Sequence, residues 1–270
     1  MLNLIAGSPG SGKSAVSTVD MLEFLQFGGI VACNYDLVPG WHYKLADTVP
    51  RVRWGIADRD AVAQSYHSRA FKVGTHDTLY TLSERLKEIV KPGRKGRIPE
   101  GSGRLYLDEA QLLFNSRNYK DNYGFIEFFT QHRKLGWDVH LIAHAEDMID
   151  KQIRFLLEYE TRLRNLQKVK IAGLIPLCPF PKFLAITRYA GVSAGSGEIA
   201  WRRLYSLHPE FADMYDSMEV FAFNKSSQDV TLQGPLDLPK SPSKPRPKSI
   251  EIDYHEFVRN RCTGTLCVTG

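Results

Sequence analysis

Long apolar runs are missing from this 270-residue chain. The nearest, Ala172 to Ile186, is broken by Pro176, Pro179, Pro181 and Lys182, short of the roughly 20 apolar residues that a bilayer-spanning helix needs. Cysteine is scarce. Cys33, Cys178, Cys262 and Cys267 are scattered, which excludes a disulfide framework and fits a reducing compartment. The Cys262/Cys267 pair reads as free thiols, with a metal or disulfide pair as the weaker alternative. No internal repeat is visible. No secretory leader fits either, because a strand and its motif begin at Met1. Charge is only slightly one-sided. A net +5 permits an anionic partner, nucleic acid or acidic lipid, without selecting one. What remains is an ordinary globular composition, 43% hydrophobic and 24% charged, with length for one large α/β domain or two small ones.

The most informative stretch is the first. Met1 to Ala6 is a short apolar strand. It runs into Gly7-Ser8-Pro9-Gly10-Ser11-Gly12-Lys13-Ser14, which meets every fixed position of a phosphate-binding P-loop. Gly7, Gly10 and Gly12 let the backbone turn tightly and bring N–H groups to phosphate oxygens. Lys13 places positive charge on the β- and γ-phosphates. Ser14 offers a hydroxyl to Mg²⁺, and Ala15 continues into a helix whose N-terminus favours anions. Val16, Val19, Leu22 and Leu25 have helical spacing up to Phe27. ATP with Mg²⁺ is the expected ligand, bound by residues 7 to 15.

Gly29 to Asn34 reads as a second strand, giving a βαβ start to a wound α/β sheet. Val52 to Ile56 reads as a short strand, and Asp60 to Thr75 as polar and poorly periodic. Leu79 to Val90 predicts a helix. Lys91 to Arg97 reads as a solvated basic loop, with a nucleic-acid contact as the functional alternative. Arg104 to Leu107 is a strand ending in Asp108 and Glu109. Asp108 is placed to support Mg²⁺. Glu109 is placed to orient or deprotonate the attacking water, which favours a triphosphate hydrolase over a kinase. Asn122 to Gly136 reads as a helix whose phenylalanines are core. Trp137 to His144 is a buried strand, and His144 at its end is either a γ-phosphate sensor or structural. Asp147 to Arg164 reads as largely helical, with Arg154, Arg162 and Arg164 as candidates to reach a neighbouring subunit's nucleotide. Phe183 to Tyr189 and Ile199 to Leu204 predict a hairpin across the turn Gly191 to Gly197. Met214 to Phe221 ends the compact part. This places a P-loop domain over 1–233 and a basic, Pro-rich linker with a polar tail over 234–270.

These residues together carry a family pattern. The chain resembles the zonular occludens toxin (Zot) family of P-loop ATPases, which includes filamentous-phage assembly proteins. The matching elements are Gly7 to Ser14, Val31 to Asn34, Leu105 to Gln111, His132 to Asp138, Asp150 to Arg154 and Tyr215 to Ser217. The resemblance implies a RecA-like, additional-strand parallel sheet flanked by helices, related to the HerA and FtsK motors. It implies an ATP hydrolase working as a homo-oligomeric ring in the bacterial host cytoplasm, at the cytoplasmic face of the inner membrane. There it would drive extrusion of single-stranded DNA and meet phage coat and export proteins. Carried over by position, Lys13 and Ser14 bind phosphate and Mg²⁺, Asp108 supports the metal, Glu109 handles water and Arg154 is the best arginine-finger candidate. Two departures stand out. Family members usually carry Gln where this chain has His144. They also usually have a membrane helix after the ATPase domain, whereas Ser249 to Gly270 is too polar to span a bilayer, so inner-membrane association would use a missing or separate segment. A nucleotide-gated scaffold with little turnover, and a P-loop kinase, are the alternative functions.

Overall fold

Strand-forming and helix-forming runs alternate along the chain, but the strands lie in space in a different order from their order in sequence. The structure is a computed structural model. It describes residues 1–215 except 75, 94–95, 115–122, 169, 172–174, 177–181, 192–197, 208 and 213. The linker and tail expected over 234–270, the turn at 191–197, Cys178, Cys262, Cys267, Asp216 and Ser217 therefore lie wholly or largely outside the described residues.

In chain order the first elements are β1 (Leu2–Ala6), α1 (Lys13–Gln26), β2 (Ile30–Cys33), α2 (Trp41–Asp47), α3 (Pro50–Arg53), α4 (Arg59–His67), β3 (Ala70–Lys72), α5 (His76–Ile89) and β4 (Gly103–Leu107). There follow α6 (Ala110–Leu113), α7 (Tyr123–Gln131), β5 (Trp137–Ala143), α8 (Lys151–Leu156), β6 (Tyr159–Asn165), β7 (Lys170–Ile171), β8 (Ile175–Pro176), β9 (Lys182–Tyr189), β10 (Ile199–Ser206) and α9 (Pro209–Ala212). Eight strands form one sheet in the order β10-β9-β6-β1-β5-β4-β2-β3, and β7 pairs with β8 apart from it. Neighbours from β6 to β3 are parallel, while β9 runs antiparallel to both β6 and β10. This is the expected α/β sheet with an appended hairpin.

Alternation along the strands sorts residues onto two faces. Leu2, Leu4 and Ala6 of β1, Leu105 and Leu107 of β4, and Val139 and Leu141 of β5 face a core closed by Leu79, Leu82 and Leu86 of α5, Phe128 and Phe129 of α7 and Ile153 of α8. The other parity, Ile5, Ile142, Leu163 and Phe183, packs on Val16 of α1. That face also carries Arg104 and Tyr106 of β4. Asp20 of α1 accepts from Arg104 Nη1 and from the Tyr106 hydroxyl, each at 2.7 Å, and from Arg203 of β10 at 3.2 Å. Arg203 also donates to Glu23 at 2.7 Å. Arg104 lies over the Phe24 ring, 4.1 Å from its centre.

Four sequence expectations change. Val52 to Ile56 is no strand. Pro50 opens the single helical turn α3, and Ile56 N–H returns to the Arg51 carbonyl. The polar stretch 60–75 holds a regular helix, α4, capped by Asp58, and the edge strand β3. Helix α8 ends at Leu156; Tyr159 to Asn165 is strand β6, where buried Thr161 and Leu163 alternate with exposed Arg162 and Arg164. Period two wins there over the helical reading. Helix α7 likewise stops at Gln131, five residues before Gly136, whose φ of 83° closes the following turn. Strands β1 and β2 are parallel but not neighbours, because β5 and β4 lie between them.

Burial pushes the Asp20 carboxyl up, but Arg104, His140, the Tyr106 hydroxyl and Arg203 together hold it at about 2. An unfolded aspartate titrates near 3.9. Asp20 is therefore ionised in both states above about pH 4, and its contribution of roughly 2 kcal/mol is lost as pH falls toward 2. Urea unfolding at pH 5 and pH 2.5 is expected to show a smaller acid-induced loss in Asp20→Asn than in the parent chain. Equal losses would mean that Asp20 is not the ionic hub.

Candidate nucleotide site

The phosphate loop is shaped by its own sequence. Ser11 N–H donates to the Ser8 carbonyl at 3.0 Å across Pro9 and Gly10, and Gly10 has φ 70°. Proline second and a left-handed glycine third is the pattern of a type II turn. Gly12, with φ 87°, then opens α1. No side chain caps this helix and no acid occupies its first turn. The N–H groups of its first turn, Lys13, Ser14 and Ala15, are thus left for an anion. The Ser11 hydroxyl is buried without a partner among the described residues. This donor set fits the phosphates of a nucleotide.

Lys13 is buried, and its Nζ donates to the Gly7 carbonyl at 2.7 Å. It also contacts the Ser8 carbonyl at 3.4 Å and His144 Nδ1 at 3.2 Å. A lysine ammonium has only donors, so His144 Nδ1 accepts and the ring's proton sits on Nε2. That Nε2 lies 3.6 Å from Glu109 Oε2. Burial lowers the Lys13 pKa, against the opposing pull of Asp108 and Glu109.

Asp108 and Glu109 leave the end of β4 differently. Asp108 is buried, and its backbone is pinned by one side chain. Asn34 Oδ1 accepts Asp108 N–H at 2.7 Å, and Asn34 Nδ2 donates to the Asp108 carbonyl at 2.9 Å. Burial raises the Asp108 carboxyl, while the Ser14 hydroxyl and Glu109 N–H lower it by hydrogen bonding. Ser14 and Asp108 are therefore together, as an Mg²⁺ shell completed by substrate phosphates requires. Among the described residues no group of three His, Cys, Asp or Glu could hold a metal ion by itself. Glu109 has φ 50° and ψ 40°, the only described non-glycine with positive φ. A left-handed glutamate costs on the order of 1–3 kcal/mol, and such strain clusters at functional positions. The Gln111 amide donates to its carboxylate.

The structure thus brings Gly7 to Ala15, Asp108, Glu109 and His144 together. It does not bring Arg154 there. Arg154 Nη1 faces Asp147 at 3.4 Å, and its Nε is buried without a partner. A cavity of about 340 Å³ beside the loop is lined by Gly7, His144, Asp147, Glu160, Arg162 and Arg164 among others. Sequence reasoning missed the Asn34 clasp, the Gln111 contact and Phe183, which packs on Gly12. Asn34 had left a trace, a polar residue ending a buried strand; Phe183 had left none.

The family model described as zonular occludens toxin (Zot) matches residues 1–181. The chain belongs to the Zot family. This Zot-family chain is 28% identical over 234 residues to the gene 1 protein of Enterobacteria phage I2-2, covering 82% of this chain and 58% of the relative. It is 38% identical over 171 residues to that of Escherichia phage If1, covering 62% and 42%. It spans about half the length of the curated relatives it matches. The N-terminal domain of zonular occludens toxin from Neisseria meningitidis aligns with a TM-score of 0.43 at 14% identity, covering 80% of this chain and 98% of that one. The His132 to Asp138 segment of the family pattern sits at the opposite sheet edge from the loop. Arg133 pairs with Glu158, Trp137 Nε1 donates to Ser83 at 3.0 Å, and the Met1 amino group meets Asp138 at 2.9 Å.

Asn34→Ala would strand two buried backbone groups of Asp108, at about 1–3 kcal/mol each. The melting temperature should fall by roughly 5–15 °C. A variant melting within about 2 °C of the parent would show that Asn34 does not hold the acidic pair.

Proposed function

We propose that the chain is an Mg²⁺-dependent ATP hydrolase that works as a homo-oligomeric ring and drives extrusion of single-stranded DNA during filamentous-phage assembly. The observation that carries the hydrolase reading is the contact series Lys13, His144, Glu109. It sets a base and a polar sensor beside the ammonium that holds phosphate. The family, and relatives that are phage proteins, support the assembly role. In this reading 1–233 is the ATPase domain and 234–270 a linker and tail. The work takes place at the cytoplasmic face of the host inner membrane, with coat and export proteins as partners. Among the described residues no helix is long and apolar enough to cross a membrane, so the membrane contact comes from another segment or a partner.

On ATP binding the Lys13 ammonium exchanges the Gly7 carbonyl for phosphate oxygens, and the first-turn N–H groups of α1 take the charge they leave open. Ser14, with Asp108 behind it, would hold Mg²⁺, which would supply neutralisation of phosphate charge. Glu109 accepts the proton of the attacking water as the new P–O bond forms and the bond to the β-phosphate oxygen breaks. His144 Nε2 stands 3.6 Å from Glu109 Oε2, on the side from which it could steer that carboxylate. Arg154, already committed to Asp147 in its own chain, is read as a finger for a neighbouring copy's site.

The test is ATP turnover with Mg²⁺, with and without single-stranded DNA. Turnover should rise with DNA and fall by about 10²–10⁴ in Glu109→Gln, with Lys13→Ala losing nucleotide as well. Tight ATP binding without turnover under all conditions would favour a nucleotide-gated scaffold, and phosphoryl transfer to a small acceptor would favour a kinase.

A further inference from the structure

Three glycines of the phosphate loop face three residues of the chain that borders it. A β-carbon on Gly7 would stand 3.5 Å from the Leu163 carbonyl, one on Gly12 2.3 Å from the Phe183 ring, and one on Gly10 2.9 Å from Lys168 Nζ. Leu163 and Phe183 are buried and apolar, and they pack with Ile5 and Val16. Lys168 is different. It is exposed, and among the described residues it makes no hydrogen bond and pairs with no carboxylate.

Its position is set by the fold. Strand β6 is in parallel register with β1, which delivers the loop, from Asn3 opposite Tyr159 to Ala6 opposite Arg162. Directly after β6, Asn165 Oδ1 accepts Gln167 N–H at 2.9 Å. That Asx turn opens the 3-10 turn Leu166–Lys168. The lysine is thereby presented at the crown of the loop. Gly10 is required by its positive φ, and a side chain there would push the mobile end of Lys168 aside.

An ammonium with no anion among the described residues, set against a loop built from phosphate-seeking N–H groups, is matched by a phosphate ligand as its counter-charge. We propose that Lys168 is a second phosphate-binding cation of the nucleotide site, acting in the same chain beside Lys13 and favouring polyphosphates over monophosphates. The inference rests on the ATPase reading and adds to it a residue outside the P-loop motif.

Equilibrium binding of fluorescent ATP, ADP and AMP analogues, with Mg²⁺ in excess, tests it without reference to turnover. Lys168→Ala should bind ATP and ADP about tenfold more weakly, with AMP changed far less. Lys168→Arg should stay within about threefold of the parent, and melting curves of both variants should match it. Parent-like affinity in Lys168→Ala, beside lost binding in Lys13→Ala, overturns this inference and leaves the ATPase reading standing. A parent chain that binds no better than Lys13→Ala overturns the nucleotide reading, and this inference with it.

Discussion

The site depends on one strand being where it is. Strand β5 lies between β1, which carries the phosphate loop, and β4, which carries the acidic pair. Two inter-strand spacings put about 10 Å between those strands. The phosphate loop and the acidic pair therefore face each other across a gap rather than side by side. The residue that emerges from β5 into the gap is His144, and its two ring nitrogens face the two sides, Lys13 on one and Glu109 on the other. The gap, the acid, the base and the residue between them follow from one crossing order.

The polar work of holding this arrangement is done on the α1 face. Asp20 joins three elements that are distant in sequence: the helix begun by Lys13, the strand that ends at Asp108, and the outer strand β10. The ion pairs are partly or largely shielded; Asp20 also accepts from the Tyr106 hydroxyl, whereas Arg104 Nε is buried without a partner among the described residues. Apolar packing closes the opposite face with α5, α7 and α8. Both faces are thus closed by apolar packing, and the face that α1 rests on adds an ionic hub to it.

Much of this was legible in residue order. The P-loop, the strand ending in Asp108 and Glu109, the buried strand before His144 and the late hairpin all announce themselves through local chemistry, a glycine pattern or a two-residue period. What was not legible is of two kinds. Arg162 and Arg164 looked helical because charges recur in both periods, and only the pairing of Thr161 with β1 and β9, and of Leu163 with β9, decides between them. The Asn34 clasp on Asp108 joins residues 74 positions apart, and Phe183 meets Gly12 across the hairpin. Contacts between elements leave no periodic trace in either partner.

Gly12 carries two independent constraints, its left-handed φ of 87° and the Phe183 ring 2.3 Å from where a β-carbon would stand. In genetic terms the position has no single-site suppressor. Trimming Phe183 would clear the space for a side chain at residue 12 and leave the backbone conformation as unfavourable as before. Reversion is then the direct route back from a lesion at residue 12, whereas Phe183 can change while Gly12 stays as it is.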